Sequence, residues 1–262
     1  MTSRRPARPS RRRPRLPAPL LILLLGAASA GFVQGLAGFA FGLVALSIWA
    51  WFVPPGQAGP LVVFGSLLGQ LLSLGTVRRS LDPRRLAPFI AGGLLGVPVG
   101  VLLLHRIDPR EFKLAVGIVL VVWCPTMLLT RDQPRVTAGG WWADAVAGWI
   151  GGVMGGLGGL TGPAPTLWSA LRGWDRDAQR AVFQSFNFTM QAVTMAAYFA
   201  SGTISAGTAR LFPAVGAAML VPTLAGTYLY RRFSDTAFRR LVLLLLAASG
   251  ALLVVSALRR VG

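Results

Sequence analysis

Apolar runs close to twenty residues long recur from one end of this 262-residue chain to the other. About twenty apolar residues in a helix match the ~30 Å hydrocarbon core of a bilayer. No water is available there to satisfy exposed backbone groups, so only helices and closed barrels can span it. Barrel strands alternate apolar and polar residues, and that alternation is absent. Charged residues make up 13% of the chain, against roughly a quarter in a soluble domain. The expected fold is therefore all-α: a polytopic membrane protein whose single membrane domain covers residues 16–262.

The apolar segments lie near 16–53, 57–77, 86–104, 114–130, 138–171, 181–200, 211–230 and 241–258. The first and fifth stand out. A helix of about 35 residues would be about 52 Å long, far more than the membrane needs. Each must tilt strongly, break or fold back, and each carries glycines at its middle. The two are also copies of one another. At a shift of 120, Gly31, Gly35, Gly38 and Gly42 fall on Gly151, Gly155, Gly158 and Gly162. Further on the shift becomes 126, where Gly100 meets Gly226, Arg106 meets Arg232 and Phe112 meets Phe238. Residues 18–130 and 138–258 thus read as two four-segment repeats, giving about eight transmembrane helices with the first segment of each repeat glycine-broken. Internal repeats of this kind mark transporter folds, whose substrate sites lie near the repeat interface.

The net charge of +18 invites a nucleic-acid reading, but the basic residues cluster at the ends of apolar runs, where they anchor helices and set orientation. Residues 1–15, "MTSRRPARPSRRRPR", are basic and proline-rich without apolar periodicity, and read as a disordered cytoplasmic tail able to touch anionic lipid. A signal peptide ending at "ASA" (Ala28–Ala30) is disfavoured because the apolar stretch continues past it. Eight simple crossings with both termini inside is the expected topology, in a bacterial inner membrane. A re-entrant fifth segment is the competing arrangement on charge grounds. Cys124 is the only cysteine, so an intrachain disulfide is excluded and no cysteine metal cluster is expected.

The densest glycine run, "GGVMGGLGGLTGPAPT" (151–166), has no lysine for a phosphate loop and no preceding strand for a dinucleotide turn. Two readings stay open. Glycines four apart let membrane helices approach closely. Alternatively, "GGLTGPAP" breaks a helix and exposes backbone, which is tolerated at membrane depth only inside protein or against a cavity. A half-helix N-terminus there would face an anion with free N–H groups and a positive dipole end.

All eight acidic residues, and His105, fall in loops or at segment ends by sequence. An intramembrane carboxylate or histidine relay is therefore not expected, and a neutral or anionic substrate fits better than a cation. Amides and hydroxyls are available instead. Gln184, Asn187, Gln191 and Thr194 share one helix face, and so do Ser66, Gln70 and Ser73 at the matching place in the first repeat. The candidate substrate-binding set is Gln34, Gly35, Gly38, Ser66, Gln70, Gly158, Gly159, Thr161, Gly162, Gln184, Asn187 and Gln191, with Arg180 as an anion-attracting side chain. Trp49, Trp51, Trp141, Trp142, Trp168 and Trp174 read as interfacial belt residues.

These features are similar to the sulfite exporter TauE/SafE family of bacterial membrane transporters. The resemblance is carried by "GFVQGLAGFAFG" (31–42) with its copy "GGVMGGLGGLTGP" (151–163), and by "GGLLGVPVGVLLLHRIDPREFKLAVGIVLV" (92–121) with its copy ending "GTYLYRRFSDTAFRRLVLLLL" (226–246). It implies two four-segment repeats and movement of sulfite, sulfonates or related organic anions. The expected function is a secondary transporter of a small anion in which the repeats rock about a shared site. A drug/metabolite-type permease for a neutral solute is the alternative. An intramembrane hydrolase would need a nucleophile paired with a base, which the lone His105 does not supply, so the chain is not expected to be an enzyme. Expected partners are a small anionic substrate, a coupling ion and membrane lipid, with a homodimer left open. No nucleic acid and no cofactor is expected.

Overall fold

The computed structural model describes residues 18–37, 40–73, 83–129, 136, 138–174, 176–230 and 236–259. Regular structure among them is entirely helical. The helices are α1 (Ala18–Ala37), α2 (Phe41–Trp49), α3 (Pro55–Ser73), α4 (Pro83–Arg106), α5 (Pro109–Leu129), α6 (Gly140–Gly158), α7 (Pro163–Leu171), α8 (Arg176–Ala200), α9 (Ala206–Ala209), α10 (Phe212–Tyr230) and α11 (Thr236–Leu258). The basic tail, residues 1–15, lies outside the described residues.

Four described stretches are long and apolar enough to cross a membrane: Pro19–Leu36, Pro83–Arg106, Pro109–Leu129 and Ala206–Leu229, with Val242–Leu258 a shorter apolar helix. Leu95, Leu102, Val122, Leu244 and Leu252 are exposed on the outside of the bundle. An apolar exterior of this kind suits lipid rather than water, and the chain is an integral membrane protein. Prolines inside α3, α4, α5 and α10 are compatible with this setting, where neighbouring helices re-satisfy freed backbone groups.

Both long apolar segments break, and both fold back. In the first, Trp49 at the end of α2 donates its Nε1–H to Leu23 O near the start of α1, at 3.2 Å. Phe41 at the start of α2 donates its N–H to Gln34 Oε1 near the end of α1, at 2.9 Å. Start meets end, so α2 runs antiparallel to α1. The second segment repeats the device. Val136 N–H bonds Leu171 O at 2.8 Å, and Trp168 Nε1 bonds Asp144 Oδ1 at 2.6 Å, so α7 runs back along α6. Periodicity identifies a helical segment but not the direction taken after a break, which long-range contacts decide. Trp49 is fully buried, so it is a strap inside the fold rather than a member of the interfacial belt; Trp141 and Trp142 are exposed and stacked as a belt pair would be. Asp144 stands near the start of α6, as expected of a segment-end acid, but only 6% of it is exposed, because Trp168 and Arg172 cover it.

Glycines set how the helices pack. A methyl group at Gly92, Gly96 or Gly100 of α4 would strike the backbone of Ala145, Trp149 or Val153 of α6. From the other side, Gly148, Gly152 and Gly156 meet the backbone of Phe89, Gly93 and Val97. Contacts advance together along both chains, so α4 and α6 are parallel. The same close, parallel approach joins α1 to α10, where Gly31 and Gly35 meet Met219, Thr223 and Thr227, and Gly226 meets Phe32. In contrast α5 and α11 are antiparallel: Gly117 adjoins Gly250, and Arg110 Nε donates to Ala257 O at 2.5 Å. Small residues repeated at four give backbone-to-backbone contact in a membrane. That accounts for one face of the α6 glycine run.

Candidate functional site

The other end of that run makes a cavity. Gly159 follows α6 with φ +73°, a left-handed conformation that a side chain disfavours by ~1–2 kcal/mol. Its N–H returns to Gly155 O at 2.6 Å, and Leu160 N–H returns to Met154 O at 3.2 Å, closing the helix end. Pro163 then opens α7 with φ pre-set for a helix start. In the first half the chain resumes at Phe41. There the first i to i−4 bond runs from Val44 N–H to Ala40 O. The N–H groups of Phe41, Gly42 and Leu43 precede that bond and have no intrahelical acceptor. Gln34 takes the first of them, leaving those of Gly42 and Leu43 without an acceptor among the described residues. In α7 the first bond runs from Thr166 N–H to Gly162 O. Pro163 and Pro165 have no N–H to offer, so the backbone donor left within that first turn is Ala164. The expected fan of free N–H groups is thus supplied more by α2 than by α7.

Both half-helix N-termini border one small, partly open cavity, whose free interior of about 10 Å³ is about the room of one water molecule. Gly42 and Leu43 line it from α2, and Gly159, Leu160, Thr161, Gly162 and Pro163 from the second break. The polar stripes close it: Ser66 and Gln70 from α3, and Asn187 and Gln191 from α8. Among the described residues its lining contains no acidic, basic or histidine side chain.

A hydrogen-bond chain fixes the polar wall. Gln191 Nε2 donates to Gly159 O at 2.7 Å and, more weakly, to Thr161 Oγ1 at 3.3 Å. Thr161 Oγ1 donates to Asn187 Oδ1 at 2.8 Å. With its oxygen engaged, Asn187 keeps its NH₂ end beside Gly162, where an added methyl would stand 3.2 Å from Nδ2. Gln191 Oε1 is buried without a partner among the described residues. Tyr198, fully buried, ties α8 to α6 through a 2.7 Å bond to Gly156 O.

Of the residues anticipated from sequence, Ser66, Gln70, Gly159, Thr161, Gly162, Asn187 and Gln191 come together at the cavity. Gln34 does not line it; it is the cap of α2. Gly35 is used in the α1–α10 contact, against Thr223 and Thr227. Gly158 packs toward Phe112 and Leu46. Gln184 is buried on α8 outside the lining. Gly38 lies outside the described residues, and of Arg180 only the place of its backbone in α8 is described. Gly42, Leu43 and Pro163 were not singled out as site residues, although the glycine copy at Gly42 and Gly162 marked both breaks. Among the described residues no three His, Cys, Asp or Glu side chains gather to hold a metal ion.

The sequence profile of the family described as "Sulfite exporter TauE/SafE" matches residues 22–253, from within α1 to within α11. No curated protein and no solved structure gives a match. The match spans both breaks, both polar stripes and both glycine seams, and the chain belongs to the TauE/SafE family of membrane transporters.

Proposed function

We propose that this protein is a secondary transporter of a small anion, sulfite or an organosulfonate, which it holds at the cavity between the two half-helices. The observation that carries the reading is the meeting of two half-helix N-termini at one cavity with the Thr161–Asn187–Gln191 chain. Helix N-termini present backbone N–H groups and a positive dipole end to an anion. Gly42 and Leu43 N–H, Ser66, Gln70 and the Asn187 amide would replace its hydration shell. The neutral lining suits a small, singly charged oxyanion and gives a cation no counter-charge.

Two inverted units explain the helix packing. α1, α3, α4 and α5 would be full passes of the first unit and α6, α8, α10 and α11 those of the second. α2 and α7 each return the chain as a fifth, shorter traverse, so each unit makes an odd number of traverses and the second enters in the opposite sense. The exchange of partners, α1 with α10 and α4 with α6, supports this two-fold relation. The basic tail supports a cytoplasmic N-terminus in a bacterial inner membrane, with the C-terminus on the same side. Alternating access at a midplane site follows from such symmetry.

The test is uptake of radiolabelled sulfite and methanesulfonate by purified protein in liposomes. Saturable uptake inhibited by other small oxyanions is the expected result, and transport of neither probe refutes the reading. The described lining carries no basic side chain, which favours one second reading, a permease for a neutral solute. Solute uptake that no anion inhibits would establish that reading instead.

A further inference from the structure

One backbone carbonyl fixes the direction of the bonds in the cavity's polar wall. Gly159 O can only accept, and it takes the Gln191 side-chain amide at 2.7 Å. The nitrogen must be the end of that amide at Gly159, because the opposite placing would set two acceptors against each other. Gln191 Nε2 also reaches Thr161 Oγ1 at 3.3 Å, so the Thr161 hydroxyl hydrogen goes to Asn187 Oδ1 at 2.8 Å. Asn187 is thereby turned with its NH₂ end beside Gly162. The wall presents two fixed and unlike groups: a donor, Asn187 Nδ2, and an acceptor, Gln191 Oε1.

Asn187 and Gln191 are each only 3% exposed, and Gln191 Oε1 has no partner among the described residues. The next hydroxyl along that face of α8, Thr194 Oγ1, is buried and unpartnered too, so it does not serve Gln191. Buried side-chain acceptors are normally bonded. An oxyanion in the cavity can bond the N–H groups of Gly42 and Leu43, the Asn187 amide and the Ser66 hydroxyl, because all of these donate. Its oxygens cannot bond Oε1, which has only lone pairs to offer. A cation would satisfy Oε1 but would then face the same N–H groups and the positive ends of the half-helices. An anion that carries one N–H or O–H satisfies both kinds of group at once.

We infer that Gln191 Oε1 is the specificity determinant of the site: it selects small, singly charged oxyanions that carry a hydrogen-bond donor over equally charged ones that lack it. Hydrogensulfite in its O–H form has such a donor, and the simple alkanesulfonates do not. A ligand without the donor strips water from Oε1 and leaves it buried and unpaired. Sites built to bond an OH or NH reject analogues lacking it far more strongly than apolar pockets reject a missing methylene. The free interior is about the room of one water molecule, so an anion enters as the half-helices part. Gly159, Thr161, Asn187 and Gln191 all belong to the second repeat, and the bonds that aim Oε1 can travel with that repeat. The inference rests on the transport reading of the cavity and adds to charge a requirement for a donor.

The experiment uses the full chain in liposomes with a matched pair of probes, sulfamate and methanesulfonate. Both are singly charged near neutral pH and alike in shape; sulfamate carries NH₂ where methanesulfonate carries CH₃. Initial uptake of each radiolabelled probe, and of sulfite, is measured at one pH and far below saturation. Wild type should take up sulfamate about tenfold faster than methanesulfonate, the scale set by one buried acceptor left unpaired. Gln191→Met fills a similar volume without the acceptor, and the ratio of the two rates should fall to within about twofold of one. Gln191→Ala leaves room for water beside Gly159 O and covers the case in which Gln191→Met does not fold; its ratio should fall in the same way. A side chain that only holds the wall together would lower both rates in step and leave the ratio intact. A transporting wild type that does not prefer sulfamate overturns this inference alone. So does a folded variant that keeps the wild-type ratio. A wild type that moves none of the three anions overturns the transport reading and this inference together.

Discussion

Gly158 and Gly159 are neighbours with the same side chain, yet the structure assigns them opposite sensitivities to alanine. Gly158 is the last residue of α6. A methyl there would stand 3.3 Å from Phe112 Cε2 and 3.5 Å from Leu46 Cδ1, so a ring edge must give by a few tenths of an ångström. Against that, alanine in a helix is favoured over glycine by roughly 0.5–1 kcal/mol. The two terms nearly cancel. Gly159 has φ +73°, which disfavours alanine by ~1–2 kcal/mol. Its methyl would also stand 2.6 Å from Val62 Cγ1 and 3.2 Å from Val63 Cγ2. Both valines are fully buried, and β-branching leaves them few rotamers to retreat to. Overpacking of this kind costs ~1–3 kcal/mol, so Gly159→Ala loses about 2–5 kcal/mol in all. The backbone that moves includes Gly159 O, the acceptor of Gln191, so the loss should reach the cavity. The assay pairs thermal melting in detergent with sulfite uptake in liposomes. Gly158→Ala should match wild type within about twofold in uptake, and Gly159→Ala should lose at least about tenfold, since 1.4 kcal/mol is a factor of ten. Wild-type melting and uptake in Gly159→Ala, or a larger loss in Gly158→Ala, would refute the claim that this turn holds the site.

Gln34→Leu leaves the buried Phe41 N–H without its acceptor and should lower stability by ~1–3 kcal/mol, read as a drop in melting temperature. Thr161→Val keeps the side chain's shape but removes the bond to Asn187 Oδ1; the KM for sulfite should rise about tenfold while stability changes by only about 1 kcal/mol. Gly96→Leu places a large side chain against the backbone of Trp149 and Val153, and folded protein should be lost, as size-exclusion chromatography would show. Removing residues 1–15 should leave uptake by the purified protein unchanged.

Much of the cavity was legible because it rests on local pattern. Three-and-four spacing put Asn187 and Gln191 on one face of α8, and Ser66 and Gln70 on one face of α3. Glycine marked both breaks, with proline at the second, through chemistry confined to a few residues. What the pattern could not carry was direction. A half-helix after a break has the same periodicity whether it continues outward or turns back. The choice was made by Trp49 reaching Leu23 and Trp168 reaching Asp144, across 26 and 24 residues. The same blindness hid the burial of Asp144, a segment-end acid that α7 returns to cover. Gln34 was legible as a polar residue beside a break, but its service to Phe41 depended on how tightly the chain turned. The packing of Gly35 was not legible for a similar reason: its neighbour, α10, lies far along the sequence.

The glycine seams have a consequence for how such a chain can be divided. α1 of the first half lies against α10 of the second, and α6 of the second lies against α4 of the first. Neither half keeps its own glycine face covered. A fragment ending near residue 134 would leave Gly92, Gly96 and Gly100 without the backbone they rest on, and Gly31 and Gly35 likewise. Expressed alone, each fragment should be unstable in the membrane; expressed together, they should recover one another as two separate polypeptides. A lone half could cover those faces only by lending its hairpin to a second copy inserted in the opposite sense. The link between the halves is therefore a convenience of synthesis, and the unit that folds is the interlocked pair.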